Sequence, residues 1–421
     1  MKILIEPSGM YSLNVGDQAM LEMTYDRFRS IWPNAEIRIF TKAPERLKST
    51  LPGAIPVSPW DRGRCIDQHI FGRLSRILPR GLAASIRQIE QVLAERAPRF
   101  EVMVALSKMK LRKDEVGAAL LTMLRTTDLY VYSGAGILTD AFVPQNIEAL
   151  RMLDLARRLG VRTAILGHMI GPVNDESLRT ACRQILPKID FISTRERPTS
   201  LRCLRQCGVP VNNIMVTGDE TIELAFNQAK RELGAALGVN VRSAWYSGLD
   251  RETVPAIGLV IKRIAQRLNA PLEPLAISYH VGSNDEYALR LLLADGDRTE
   301  SSAKATEPEA AVSVIRRVGK CRLVIAGSYH AAVFALAQGI PVIGLAFAPY
   351  YFSKFDGLAD LFGAGCACID GRKTEWAQQL EQSALDLWQR AIDFKPQLIE
   401  SAKRQIVARK MAYQRVRNLM E

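Results

Sequence analysis

The sequence predicts an α/β protein built of two Rossmann-like domains facing a cleft. Three observations carry that expectation. Short apolar, partly β-branched runs alternate with helical stretches along the whole chain, the pattern of parallel sheets with crossover helices. The alternation divides in two around Gly234-Ala235-Ala236-Leu237-Gly238, where paired glycines and a change of register suit a hinge. A chain of 421 residues is long for one hydrophobic core and natural for two.

In the first half, strands are expected at 2–6, 36–40, 129–133, 162–167, 189–193 and 214–217, with helices near 18–31, 145–159, 176–186, 197–206 and 220–230. In the second half, strands are expected near 241–246, 273–279, 322–326, 341–346 and 366–369, with helices near 252–268, 285–294, 308–317, 331–338 and 374–390. Thr306-Glu307-Pro308-Glu309 has the spacing of a capping box at one helix start. The expected organisation is a domain over 1–235 carrying a helical, basic insertion at 61–115, a second domain over 236–390, and a helical tail at 391–421. Facing domains of this kind gather their strand ends around one cleft, where ligands bind.

Composition narrows the function. The chain is 48% hydrophobic and 24% charged, ordinary for a globular protein, and no apolar run has the length of a membrane span. Met1-Lys2-Ile3-Leu4-Ile5-Glu6-Pro7 reads as a first strand rather than a signal peptide, so a cytoplasmic location is expected. Seven scattered cysteines and four histidines (69, 168, 280, 330) show no metal-ligand spacing, so reduced thiols and no metal site are expected. The net charge is +12, and residues 61–113 alone hold twelve Lys/Arg against five Asp/Glu. No aromatic-interleaved basic motif accompanies it, so nucleic acid is not the expected partner. Ile66, Ile70, Phe71, Leu74, Ile77 and Leu78 fall at helical spacing among Arg73, Arg76 and Arg80. That mixture fits either peripheral contact with an anionic membrane or a stripe packed on the domain.

The chemistry gathers at strand ends. Leu323-Val324-Ile325 reads as a buried strand, and Ala332, Phe334, Ala335 and Leu336 open a helix ended by Gly339 and Pro341. Ser328-Tyr329-His330 therefore sits where a strand hands over to a helix, and His330 is a candidate general acid. After the first strand, Ser8-Gly9 and Asn14-Val15-Gly16-Asp17 offer a tight turn and free helix N–H groups; Asp17 is either a ligand contact or an N-cap. Ser133-Gly134-Ala135-Gly136 leads to Asp140 and Pro144 and is not a dinucleotide fingerprint. His168 stands in the close-approach loop Gly167-His168-Met169-Ile170-Gly171-Pro172. Arg195, ending the fifth strand, suits a carboxylate or phosphate, or pairs with a neighbour. Gly218-Asp219 ends the sixth strand and carries less signal. Lys354, on a loop after an apolar strand, can reach the same cleft, and Ser278 to Asp285 adds polar groups at another strand end.

Taken in order, Asn14-x-Gly16-Asp17, Gly134-x-Gly136, Gly167-x-x-x-Gly171-Pro172, Thr194-Arg195-Glu196, Gly218-Asp219, Ser328-x-His330, Ala335-Leu336, Gly339-x-Pro341 and Lys354-x-x-Gly357-Leu358 resemble the polysaccharide pyruvyl transferases, over roughly 1–30 and 125–365. The resemblance implies a GT-B type fold that moves the enolpyruvyl unit of phosphoenolpyruvate onto a sugar of a cell-surface polysaccharide or its lipid-linked precursor, closing a pyruvate ketal without metal or cofactor. It implies His330 as catalytic acid and Arg195, Lys354 and Ser328 on the donor. Asn14, Asp17, Gly136, Asp140 and His168 then line the acceptor side of the cleft, with Asp17 or Asp140 binding the sugar or taking its proton. Tyr329 directly precedes the histidine where the family often has Arg-Leu, so Arg195 or Lys354 must supply more of the positive charge. A GT-B glycosyltransferase using a nucleotide sugar and a non-catalytic glycan-binding relative are the competing readings.

Overall fold

The computed structural model describes residues 1–66, 82, 85–86, 89–90, 92, 95–293 and 307–421. Two parallel sheets organise it. The first has the order β3-β2-β1-β4-β5-β6-β7, with β1 (Lys2–Pro7), β2 (Glu36–Phe40), β3 (Ile55–Val57), β4 (Leu129–Leu138), β5 (Arg162–Ile170), β6 (Phe191–Thr194) and β7 (Ile214–Val216). The second is ordered β14-β13-β12-β8-β9, with β8 (Ala236–Asn240), β9 (Leu272–Pro274), β12 (Cys321–Ala326), β13 (Val342–Ala346) and β14 (Cys366–Asp370). A small antiparallel hairpin pairs β10 (Tyr279–His280) with β11 (Ser283–Asn284). Ile3, Leu4 and Ile5 are buried in succession rather than alternately, because helices cover both faces of the sheet.

The strand order reverses between β1 and β4 in one sheet and between β8 and β12 in the other. These are the two topological switch points, where crevices open at the carboxyl ends of the strands. Both crevices face each other. The loop Leu13–Val15 of the first half pairs with Ile277–Tyr279 of the second: Val15 N donates to the Ile277 carbonyl (2.8 Å) and Tyr279 N to that of Leu13 (2.8 Å).

Two expectations are corrected, and the expected helical tail proves to join both domains. The segment Gly234–Gly238 is no hinge: it enters β8, a strand inside the second sheet, with Gly238 packed against Cys321 and Val324. The strand expected at 241–246 is accordingly displaced, and Val241–Tyr246 forms the loop that leaves β8. The tail is one helix, Ala391–Asn418, rooted in two cores: Phe394 and Leu398 join the second domain's core, while Ala412, Tyr413 and Val416 pack with Ile3, Phe28 and Phe191 of the first.

The apolar stripe at 70–78 and Thr306 of the capping box lie outside the described residues. The helices Pro98–Leu111 and Glu115–Arg125 at the insertion's end pack Val102, Met109, Leu121 and Leu124 into the core beneath Tyr130 and Tyr132 of β4. Among the described residues, no helix is long and apolar enough to cross a membrane.

Candidate active site

His330 is the second residue of the helix Tyr329–Ala337, which starts three residues after β12 ends. The backbone turn is fixed from β8: Gly327 N donates to the Asn240 carbonyl (2.8 Å) and Ser328 N to Asn240 Oδ1 (2.7 Å). Ser328 contributes this N–H, while its hydroxyl makes no capping bond to the helix. Across the domain seam, the backbone of Gly16 approaches the imidazole so closely that a Cβ at residue 16 would overlap the ring. Only glycine permits that approach.

Asp219, just beyond β7, is buried and faces the same imidazole. Its Oδ1 accepts from Thr221 N (2.9 Å) and Thr221 Oγ1 (2.6 Å). Its Oδ2 lies 3.7 Å from His330 Nε2 and 3.5 Å from Arg195 Nη1. Burial alone would raise this carboxyl, but the His330 imidazole, the Arg195 guanidinium and the Thr221 hydroxyl hold it far below the usual carboxylate range.

Arg195, 1% exposed, emerges from the end of β6 and stacks its guanidinium 3.8 Å from the Tyr329 ring centre. Ser328 stands at the position of the family's arginine and Tyr329 at that of its leucine, and Tyr329 serves as the platform for Arg195. Gly136 closes on the other side, where a Cβ would meet both Arg195 and, at 2.9 Å, Lys354 Cε. The Gly136 carbonyl accepts a hydrogen bond from Tyr350 Oη (2.6 Å) of the opposite domain.

Lys354 lies inside the helix Pro349–Phe362 rather than on a loop, because Pro349 at the first turn starts the helix earlier than the tyrosine-rich run indicated. Its Nζ is 3.9 Å from the Tyr350 ring centre and 5.0 Å from that of Tyr351. Burial, together with the neighbouring Arg195, pushes the amine well below an ordinary lysine, while Asp17 and Asp219 pull the other way. Behind it, Arg242 Nη1 donates to Asp285 Oδ1 (2.9 Å) and the Ser283 carbonyl (3.0 Å), and Nη2 to Tyr246 Oη (2.5 Å). Asp285 Oδ2 in turn receives Asn240 Nδ2 and the backbone N–H groups of Ile277 and Ser278.

Several buried polar atoms in this seam have no hydrogen-bond partner: Arg195 Nε and Nη2, His330 Nε2, Asp219 Oδ2 and Ser278 Oγ. Buried polar atoms are almost always satisfied, so a set of orphans gathered at one domain seam offers partners to a polar ligand. The mixture of fixed cations with one carboxylate beside an imidazole suits an anionic substrate and a proton transfer. Among the described residues, no three His, Cys, Asp or Glu side chains converge as a metal-ligand set.

Of the expected acceptor-side residues, Asn14 and Asp17 stand at the domain seam, His168 is fully buried and Asp140 holds a loop. Asn14, not Asp17, is the N-cap: its Oδ1 accepts from Gly16 N (2.9 Å) and Asp17 N (3.1 Å), and Asp17 occupies the first turn at the cleft. His168 is fully buried with its ring 4.1 Å from that of Tyr132, and burial with the nearby Arg195 pushes it down to about 3. Both its ring nitrogens are buried without a hydrogen-bond partner, and its carbonyl receives Arg195 N (3.0 Å). Asp140 clamps a loop, its two oxygens accepting from Asn174 N (2.7 and 2.9 Å) and Asp175 N (2.9 Å), so it is not poised as a base. Sequence reasoning undervalued Asp219 and missed Arg242, which lay inside a strand expected one element too late. The polar run Asn240-Val241-Arg242-Ser243 after apolar Leu237–Val239 was the available sign of a strand end.

Two Rossmann-like domains with a cationic site between their switch points define a GT-B type transferase fold. The sequence matches the polysaccharide pyruvyl transferase family over residues 14–348, and the chain belongs to that family. Solved structures share the fold at low identity. A putative UDP-N-acetylglucosamine 2-epimerase from Listeria monocytogenes is 12% identical with a TM-score of 0.53, over 99% of this chain and 94% of that one. Arabidopsis thaliana UGT89C1 complexed with quercetin is 8% identical with a TM-score of 0.53, over 100% and 99%. No curated protein matches the sequence.

Proposed function

We propose that the protein transfers the enolpyruvyl unit of phosphoenolpyruvate to a saccharide and closes it into a pyruvate ketal. One observation carries this reading: His330 of the second domain meets Arg195 of the first around the shared carboxylate of Asp219, and all three keep buried polar atoms without a hydrogen-bond partner. Phosphoenolpyruvate brings about two negative charges on phosphate and one on carboxylate. Arg195 and Lys354 supply the opposing charge at a site where low dielectric strengthens each interaction.

Protonated His330 donates from Nε2 to the methylene carbon, leaving an oxocarbenium centre at the adjacent carbon. A sugar hydroxyl adds there, its proton passing to a phosphate oxygen of the adduct and leaving with it. The carbon–oxygen bond to phosphate breaks next, with inorganic phosphate leaving against Arg195 and Lys354. A second hydroxyl of the same sugar adds to the resulting cation, and its proton restores the imidazolium. Asp219 supplies the negative charge beside which that imidazolium forms. Positioned acid catalysis of this kind contributes about 10²–10⁴ in rate.

The test is phosphate release from phosphoenolpyruvate across a panel of free and lipid-linked saccharides. Release with at least one acceptor, lost in His330→Ala with the fold intact, is expected. Wild-type turnover in that variant overturns the acid assignment. Stabilisation by UDP- or GDP-sugars but not by phosphoenolpyruvate favours the nucleotide-sugar alternative instead.

A further inference from the structure

Beyond the reacting centre, the carboxyl edge of the first sheet carries an ordered row of exposed groups. β1, β2 and β3 are adjacent, and each sends one side chain to the rim just past its end: Tyr11, Lys42 and Trp60. Lys42 Nζ lies 4.8 Å from the Tyr11 ring centre and 4.0 Å from that of Trp60. Across the domain seam, His280 of the hairpin sets its ring edge-on to Tyr11 at 6.3 Å. The row is therefore continuous from the seam to the sheet edge.

Its backbone is tied down. Thr41 N donates to the Val57 carbonyl (2.9 Å), and Lys42 N to that of Met10 (2.8 Å), which locks the three strand ends to one another. Yet the rings face water: Trp60 is 69% and Tyr11 43% exposed. An indole and a phenol that share one cation and keep much of their surface in water are platforms for rings with apolar faces. Tyr11 sits on the loop that continues into Asn14 and Gly16, and Gly16 lies against His330.

We propose that Tyr11, Lys42 and Trp60 form a track for the acceptor saccharide beyond the sugar that receives the pyruvyl group. The C–H faces of successive sugar rings stack on Tyr11 and Trp60, and the Lys42 ammonium binds hydroxyl or carboxylate oxygens between them. Strands in a sheet are about 4.8 Å apart, so three adjacent strand ends span about 10 Å, the reach of a short oligosaccharide. The track rests on the pyruvyl-transfer reading for its direction, and on its own geometry for its ligand class.

The full chain is titrated by calorimetry with free mono-, di- and tetrasaccharides ending in glucose, galactose, mannose or N-acetylhexosamine, without donor, and phosphate release is followed with phosphoenolpyruvate. For at least one series, wild type should bind the tetrasaccharide at least tenfold more tightly than the monosaccharide. Trp60→Ala and Tyr11→Ala should each remove about tenfold of that gain, the order of one aromatic stacking contact. Trp60→Phe should keep most of it, and the KM for phosphoenolpyruvate should not move. Affinity independent of chain length in wild type, no saccharide binding at all, or a length dependence untouched in Trp60→Ala overturns the track. Length-dependent binding lost in the variants, in a protein that releases no phosphate with any acceptor, leaves the track standing and removes the pyruvyl-transfer reading.

Discussion

The backbone of Gly16 and the imidazole of His330 are in van der Waals contact across the domain seam, leaving no room for a side chain at residue 16. Gly16→Ala therefore has to push the ring or the loop aside. Displacements of about 1 Å cost on the order of 10²-fold in rate. Phosphate release should fall by that amount, with an unchanged circular dichroism spectrum and thermal midpoint within a few degrees. Undiminished turnover would show that the ring's position is not critical.

Asp219 faces the His330 imidazole at 3.7 Å, and its carboxyl is held below the ordinary carboxylate range. Asp219→Asn should lower kcat by about 10²-fold, with a smaller effect on the KM for phosphoenolpyruvate. It should also shift the pH at which activity declines. The stability sign follows from linkage: the folded value is lowered, so the contribution is fully present above the unfolded value near 4 and is lost as pH falls toward the folded one. The variant should be less stable than wild type at pH 7, and urea titrations should show the gap closing at low pH. A constant gap contradicts the pairing.

Lys354 is a lysine whose folded value is lowered by burial and by Arg195. Above the unfolded value near 10.4 it contributes nothing to pH-dependent stability; below it, the unfolded chain binds a proton more readily than the folded one, and the cost grows as pH falls. Lys354→Met should thus be more stable than wild type at pH 7, with the advantage vanishing toward pH 10, while affinity for phosphoenolpyruvate drops. In wild type, donor binding should take up protons, because an incoming anion favours the ammonium. Calorimetry in buffers of different ionisation enthalpy reads that uptake; none detected counts against Lys354 as a donor contact.

Arg409, in the last helix, is buried and paired with Glu220, and Arg409 Nη2 also donates to the Thr217 carbonyl at 3.1 Å. Glu220 keeps Arg27 at 3.6 Å and Tyr413 Oη at 3.3 Å when Arg409 is removed. Breaking a buried pair on one side costs about 3 kcal/mol. Arg409→Met should show that loss in denaturant unfolding, and Arg409→Met with Glu220→Gln should recover part of it.

The parts of the site that could be read in the sequence are those that strand ends dictate. His330 and Arg195 each follow an apolar run, and a parallel sheet must deliver such residues to a crevice. Burial of a polar side chain is a tertiary property, so it was not legible: His168 and Asp140 stand in glycine-rich loops as promising as those of Asn14 and Asp17, yet one is packed under Tyr132 and the other clamps residues 174–175. β8 was misplaced because Ala236–Asn240 contains a glycine, whereas Val241–Tyr246 has the aromatic and β-branched residues that strands favour. β3, three residues with a proline in the middle, offers no periodicity to detect.

The last helix, with one end in each core, has a mechanical corollary. Together with the chain crossing before β8 and the paired backbones of Leu13–Val15 and Ile277–Tyr279, it fastens the lobes at three separate points. Imidazole and guanidinium already stand on either side of Asp219 with the lobes joined in this way, and all three side chains are buried. A donor that reaches them has to part the seam locally, so the tail helix and the paired loops set the cost of admitting it.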